Sequence, residues 1–189
     1  MELCLGLRRG ELLGLRWCDI DWENSQIHIV QDRVLARNKV IVRQPKTEAG
    51  FRTIDAPPQL MEKLKQHKAD CEKRHKEYGN QYIVSDYVIV HPNGKPIPPG
   101  YLSRMFTDLQ EKAGLPPCRF HDLRHLCASI MCMQDINMKV AQKRLGHSNI
   151  STTMNIYTHP MQSKEEEAAQ TIGNFIYNSL YAGIVTESQ

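Results

Sequence analysis

No apolar run in the 189 residues approaches the roughly 20 that a membrane-spanning helix needs. The opening Met-Glu-Leu-Cys-Leu-Gly-Leu-Arg-Arg shows no basic leader followed by an apolar segment and a small-residue cleavage site. The expected location is therefore the cytoplasm, with no membrane partner. Cysteine is present but never in Cys-x-x-Cys spacing: Cys4, Cys18, Cys71, Cys118, Cys127 and Cys132 stand apart. Without a secretory signal they are expected to be reduced, mostly buried small apolar side chains. Internal repeats and low-complexity stretches are missing too. Hydrophobic residues at 41% and charged residues at 24% exclude wholesale disorder. A chain this long buries roughly 70% of its unfolded surface, so it needs no disulfide or metal staple.

Charge of one sign is scarce overall, with a formal net of +3. Its distribution is uneven. Residues 163–189 carry Lys164 against Glu165, Glu166, Glu167 and Glu187, a net of −3 that leaves +6 on the rest. Residues 31–52 hold six Lys/Arg against Asp32 and Glu48. A basic body with an acidic tail is compatible with nucleic acid, although basic stretches are often solvated faces.

Periodicity predicts an α+β fold, mainly helical, with a small antiparallel three-stranded sheet. Leu12, Leu13 and Trp17 form a short helical stripe, followed by strand-like Gln26–Val30, Lys39–Arg43 and Phe51–Asp55. These strands are expected to form one meander with a basic face. Pro57-Pro58 opens a long helix through Leu60, Leu64, His67, Cys71 and Tyr78, stopped by Gly79. Leu102, Met105, Phe106 and Leu109 mark a second amphipathic helix, ended by Gly114. Residues 121–133 read as a helix buried through Leu123, Leu126, Ile130 and Met133. Asp135 or Asn137 caps the next, Met138–Leu145, which stops at Gly146. Ser163-x-x-Glu166 is a capping-box pattern ahead of Ile172, Phe175, Ile176 and Leu180.

Four clusters carry chemistry that a phosphodiester would need: guanidinium forks for its oxygens, groups that move protons, and a hydroxyl that attacks. In Gly6-Leu7-Arg8-Arg9-Gly10-Glu11, Glu11 lies three residues after Arg8 and can orient its guanidinium. Pro45-Lys46-Thr47 places a lysine beside the Gly50 turn, with Arg52 beyond. His121-Asp122-Leu123-Arg124-His125 sets two imidazoles and a guanidinium on adjoining turns. Leu145-Gly146-His147-Ser148 precedes Tyr157-Thr158-His159 by ten residues, counted from His147 to Tyr157. Alone, each has an ordinary explanation: a surface ion pair, a solvated lysine, a helix C-cap or a packed tyrosine. His-x-x-x-His can chelate zinc, but Asp122 stands where zinc proteases carry Glu and no third ligand is evident, so no metal or other cofactor is expected.

Together, the segments 6–21, Pro45-Lys46-Thr47 with Arg52-Thr53-Ile54, His121–His125 and Leu145–His159 resemble the catalytic domain of tyrosine recombinases, the phage-integrase family. The resemblance runs from about residue 3 to 180. It implies site-specific cleavage and rejoining of double-stranded DNA, serving integration or excision of a mobile element. Tyr157 would attack the scissile phosphate to give a 3′-phosphotyrosyl link and a free 5′-hydroxyl. Arg8 and Arg124 would bind the non-bridging oxygens, and Lys46 would protonate the leaving 5′-oxygen. His121 would take the proton of Tyr157, and His147 would hydrogen-bond the phosphate. Glu11 and His125 would support these groups from behind.

The resemblance also implies a homo-oligomer, a tetramer on DNA and a monomer when free. It divides the chain into a catalytic domain, residues 1–162, and a C-terminal helix with acidic tail, 163–189, which docks on a neighbouring subunit or packs on its own domain. Only five residues precede Gly6, so the family's DNA-clamping domain and part of the catalytic core are expected to be missing, and DNA binding to be weak. Leu126 and Cys127 depart from the family's usual residues, an expected packing change without loss of activity. Three other readings remain in play: a type IB topoisomerase-like nicking-closing enzyme, a non-catalytic DNA-binding remnant and a metal-dependent hydrolase.

Overall fold

The computed structural model describes residues 1–45, 47–151, 153–154 and 168–176. The chain opens with two short helices, α1 (Glu2–Leu5) and α2 (Arg9–Gly14). Gly6 ends α1 at φ 62, a left-handed conformation, and a Cβ there would lie 2.5 Å from Leu145 Cδ2. Conformation and space therefore both demand glycine at this crossing.

A three-stranded antiparallel sheet follows, built from β1 (Ile20–Asp21), β2 (Gln26–Ile29) and β5 (Arg52–Asp55) in the order β1-β2-β5. Ile27 pairs with Ile54 and Ile29 with Arg52. Alternation turns Ile27, Ile29 and Ile54 into the main core. By the same alternation Arg52, two residues before Ile54, is also carried inward.

The expected single meander does not form. Lys39–Arg43 is a strand, β4, but it pairs with β3 (Asp32–Ala36) in a separate two-stranded hairpin. The turn residues Arg37 and Asn38 both adopt positive φ, 46 and 62, the twist that a tight hairpin favours. With no glycine at that turn, the sequence signal is weak. Every residue of β4 is exposed.

Beyond the sheet, α3 (Pro58–Tyr78) buries Leu60, Met61, Leu64 and Cys71 and ends at Gly79. Leu60, Met61 and Leu64 join Leu5, Leu7, Leu12, Leu15 and Val88 in the main core. Next comes α4 (Pro99–Lys112), whose Met105 and Leu109 are exposed rather than packed. The last two labelled helices, α5 (Asp122–Met133) and α6 (Met138–Leu145), enclose a second cluster of Cys127, Ala128, Met131, Cys132, Ala141 and Leu145. Here the sequence expectation chose the wrong face of α5: Leu126, Ile130 and Met133 are exposed. The buried stripe runs through Arg124, Cys127, Ala128 and Met131, because Arg124 is drawn inward by carbonyl partners.

Asn137 caps α6, its side chain accepting from Lys139 N at 2.9 Å. Cys71, Cys127 and Cys132 are buried, whereas Cys4, Cys18 and Cys118 are exposed, fewer buried than composition led one to expect. Residues 168–176 are helical, with Ile172, Phe175 and Ile176 exposed. The capping box at Ser163 and Glu166, and Leu180, lie outside the described residues. Among the described residues no helix is long and apolar enough to cross a membrane.

Candidate active site

The site is assembled around one carboxylate. Glu11 sits in the first turn of α2, nearly sealed from solvent. It accepts from the Arg8 backbone N at 2.8 Å, a local helix-start bond, and from Arg8 Nη1 at 2.7 Å. From β5, Arg52 Nη1 and Nη2 reach its two oxygens at 2.9 and 2.8 Å. A third guanidinium, that of Arg124, stands with Nη1 4.0 Å from Glu11 Oε2. One carboxylate thus holds together three cations from distant parts of the chain.

The end of α6 supplies the second half of the frame. Its last carbonyls lack helical partners, and three consecutive ones are each taken by a different arginine. Arg144 O accepts from Arg52 Nε at 2.8 Å, Leu145 O from Arg124 Nη2 at 2.6 Å, and Gly146 O from Arg8 Nη2 at 2.8 Å. Cationic side chains at a helix C-terminus also complement its dipole. Arg124 Nη1 donates in addition to Gly6 O, tying α5 to the turn between α1 and α2. Gly146 is left-handed at φ 68, and a Cβ there would come 2.7 Å from Arg52 Nη1 and 2.9 Å from Ala49 O.

His147 follows directly and is buried, with Nδ1 2.9 Å from the hydroxyl of the fully buried Thr153. His121 and His125 lie on the exposed side of α5, their rings edge to face with centroids 5.1 Å apart. A cavity of about 720 Å³ opens beside His147, lined also by Arg52, Phe51, Lys139 and Lys143.

Electrostatics follow from this crowding. Burial alone would raise the Glu11 pKa, but the Arg52 hydrogen bonds and charge, with those of Arg8, hold it below the ordinary value. Desolvation, then repulsion from Arg8, brings Arg124 down to about 10, so it stays cationic at neutral pH. His147 is pushed down to about 4 by burial and then by Arg124, Arg8 and Arg52, so its ring is neutral. His121 is lowered by burial first and then by His125 and Arg124. Three cations around one anion leave a positive site, suited to a tetrahedral anion that forked guanidiniums can clasp. Among the described residues no group of three His, Cys, Asp or Glu is placed to hold a metal ion.

The structure therefore brings together Arg8, Glu11, Arg124 and His147, with His121 and His125 on the adjoining turn of α5. Lys46 and Tyr157 lie outside the described residues. Sequence reasoning gave no role to Arg52 or Thr153. The signal for Arg52 was available: it precedes Ile54 by two residues on a strand, an inward position where an arginine needs partners. For Thr153 no such signal existed, because its contact depends on how the chain turns after α6.

The helical body with its small antiparallel sheet has the fold of tyrosine-recombinase catalytic domains. Residues 2–164 match the model of the phage integrase family, and the chain belongs to that family. It is 33% identical over 181 residues to a tyrosine recombinase XerC-like protein of Caldanaerobacter subterraneus subsp. tengcongensis, covering 89% of this chain and 46% of that one. With the ICEBs1 integrase of Bacillus subtilis it shares 28% over 174 residues, 90% of this chain and 46% of the relative. The chain thus spans about half the length of these relatives. Among solved structures, the Tn1549 transposon integrase in complex with a circular intermediate DNA superposes with a TM-score of 0.70 at 25% identity, covering 82% of this chain and 51% of that one. XerA recombinase gives 0.63 at 26%, covering 84% and 50%.

Proposed function

We propose that this chain is the catalytic part of a site-specific DNA recombinase that integrates or excises a mobile element, cutting and rejoining DNA through a 3′-phosphotyrosyl intermediate. The observation that carries this reading is the cradle of Arg8 and Arg124, fixed by Glu11 and the end of α6 beside a neutral His147. Relatives named as integrases, including that of Staphylococcus phage L54a, support the mobile-element assignment.

In the proposed reaction the Tyr157 oxygen attacks the scissile phosphorus, a P–O bond to tyrosine forms, and the bond to the 5′-oxygen breaks. His121 takes the tyrosine proton, and Lys46 gives one to the leaving 5′-oxygen. Arg8 and Arg124 stabilise the charge that builds on the non-bridging oxygens, the term that usually contributes most. His147, its Nδ1 2.9 Å from the Thr153 hydroxyl, would carry its proton on Nε2 and give it as a hydrogen bond to the phosphate, the hydroxyl then donating to Nδ1. Glu11, Arg52 and His125 position these groups. The covalent link conserves the ester's free energy, so no ATP is consumed; attack by a 5′-hydroxyl of the partner strand reseals the backbone.

Exchange between two duplexes cuts four strands, and each chain brings one nucleophile, so the working assembly is a tetramer on DNA formed from free monomers. Residues 1–162 would form the catalytic domain, and the helix within 163–189 would dock between subunits. The proposed location is the cytoplasm, on the nucleoid when DNA is bound.

The test is incubation of the chain, and of a form extended at its N-terminus, with a nicked suicide duplex in EDTA, followed by denaturing electrophoresis. A covalent protein–DNA band that disappears in Tyr157→Phe is the expected result. A band from neither form contradicts the reading and leaves a DNA-binding remnant. Relaxation of supercoiled plasmid regardless of sequence contradicts it in favour of a topoisomerase-like enzyme. Activity abolished by EDTA would mean metal-dependent hydrolysis.

A further inference from the structure

A second groove, of about 530 Å³, adjoins the site on the far side of His121, lined by Arg9, Ser103, Thr107, Arg119 and Phe120 among others. It is built by three separate segments. Arg9 begins α2, Ser103 and Thr107 lie on α4, and Arg119–His121 leads into α5. Arg9 Nη1 donates to Ser103 Oγ at 2.8 Å, a bridge between residues 94 apart in sequence. That bond uses a lone pair of Ser103 and leaves its hydroxyl proton to donate elsewhere. Arg119 is steadied by Asp122, with Nη2 to Oδ1 at 2.9 Å and the backbone N to Oδ2 at 2.8 Å, and its Nη1 makes no bond to a described residue. Phe120 packs edge to face on Phe106 with centroids 5.4 Å apart, holding this segment against α4. Among the described residues that line the groove there is no carboxylate; Asp122, next in sequence to His121, is already paired with Arg119.

Arg8 and Arg9 are adjacent, so their Cα atoms are about 3.8 Å apart, yet their heads diverge. Arg8 enters the catalytic cradle at Gly146 O, and Arg9 crosses to Ser103. Successive phosphates along one DNA strand follow one another with an axial rise of about 3.4 Å per nucleotide and stand farther apart through space, so adjacent arginines whose heads diverge can offer one guanidinium to each. We infer that this groove binds the backbone phosphate next to the scissile one on the cleaved strand, clasped by Arg9 and Arg119 with Ser103 donating a hydrogen bond. The inference rests on the recombinase reading above. It gives Arg9 a positioning role, fixing the strand so that the next phosphate falls between Arg8 and Arg124.

The test measures binding of the full chain to a mixed-sequence duplex of about 30 base pairs across a salt series, where each neutralised phosphate contributes about 0.9 to the log–log slope. Arg9→Ala with Arg119→Ala, which frees the one phosphate they clasp, is expected to lower that slope by about 1, and Lys65→Ala with Lys68→Ala on α3 to leave it unchanged. Unfolding midpoints of all variants are compared with that of the parent. Should the double variant be unfolded, Ser103→Ala, which removes only the hydroxyl, is expected to weaken binding and slow covalent-adduct formation severalfold. A parent chain with a steep slope that the folded double variant retains overturns the groove while leaving the recombinase reading intact. A parent chain with no salt-dependent DNA binding overturns the groove, while the recombinase reading stands or falls separately on the covalent band from the N-terminally extended form.

Discussion

Arg52 on β5 and Glu11 on α2, 41 residues apart, meet in a two-pronged ion pair of 2.9 and 2.8 Å in the interior of the protein. The same guanidinium also holds Arg144 O at the end of α6 and Gly50 O in the turn that follows the Lys46 segment. Glu11 in turn orients Arg8. This one contact therefore links the sheet, the first arginine and the helix that ends at His147.

Removing one partner of a buried pair costs about 3–5 kcal/mol when the other charge is left uncompensated; Glu11 keeps Arg8, so the low end of that range, about 3 kcal/mol, applies. Arg52→Met is accordingly expected to lower stability by that amount in urea denaturation, and to slow covalent-adduct formation more than tenfold. Arg52→Lys keeps the charge but loses the fork, so it should recover only part of either. An Arg52→Met variant as stable and active as the parent would show that the cradle does not depend on this pair.

Two glycines with similar backbone conformation should respond differently to alanine. Gly114 has φ 62 and open space where an alanine methyl would sit, whereas at Gly146 the methyl would press on Arg52 Nη1 and the Ala49 carbonyl. Gly114→Ala is expected to cost only the left-handed penalty, about 1–2 kcal/mol. Gly146→Ala must also displace Arg52 or the backbone, and should cost more and depress cleavage. Equal destabilisation by the two, measured by thermal or urea unfolding, would contradict the packing at the end of α6.

Stability should depend on pH through two groups acting in opposite directions. His147 is held at about 4, chiefly by burial and then by the arginines, against an ordinary 6.5. Between pH 6.5 and 4 the unfolded chain binds a proton that the folded chain does not, so stability falls as the pH drops. Glu2 is buried, and desolvation raises it from 4.5 to about 8, with Arg124 pulling the other way and Glu11 adding to the rise. Its contribution is full below 4.5 and is lost as the pH climbs through 8. The two slopes oppose each other from 4.5 to 6.5, and above 6.5 that of Glu2 remains. The parent should therefore lose stability between pH 6.5 and 8 while Glu2→Gln stays flat. Urea midpoints across that range decide it, and a parent equally stable at both ends would be the contrary result.

Much of this was legible in sequence because the signals were local. Gly79, Gly114 and Gly146 marked helix ends, Asn137 a helix start, and the spacing of Arg8 and Glu11 their contact across one turn. What stayed hidden depended on distant partners. The buried face of α5 is set by Gly6 O and Leu145 O, which draw Arg124 inward and leave Leu126 and Ile130 outside. Strand β3 was missed because its turn uses Arg37 and Asn38 instead of glycine. Arg52 looked like one more basic residue in a basic stretch, although its spacing of two from Ile54 already set it on the inward face of β5; its partners Glu11 and Arg144 O, far away in sequence, were what stayed hidden.

The most direct test is to find which atom carries the DNA. The covalent adduct formed in EDTA on a nicked suicide duplex would be digested with protease and the DNA-linked peptide sequenced by tandem mass spectrometry. The account predicts a single linkage, at Tyr157, to the 3′ end of the cut strand, leaving a 5′-hydroxyl that a kinase can label. Linkage through another residue, or attachment to a 5′ end, would contradict it.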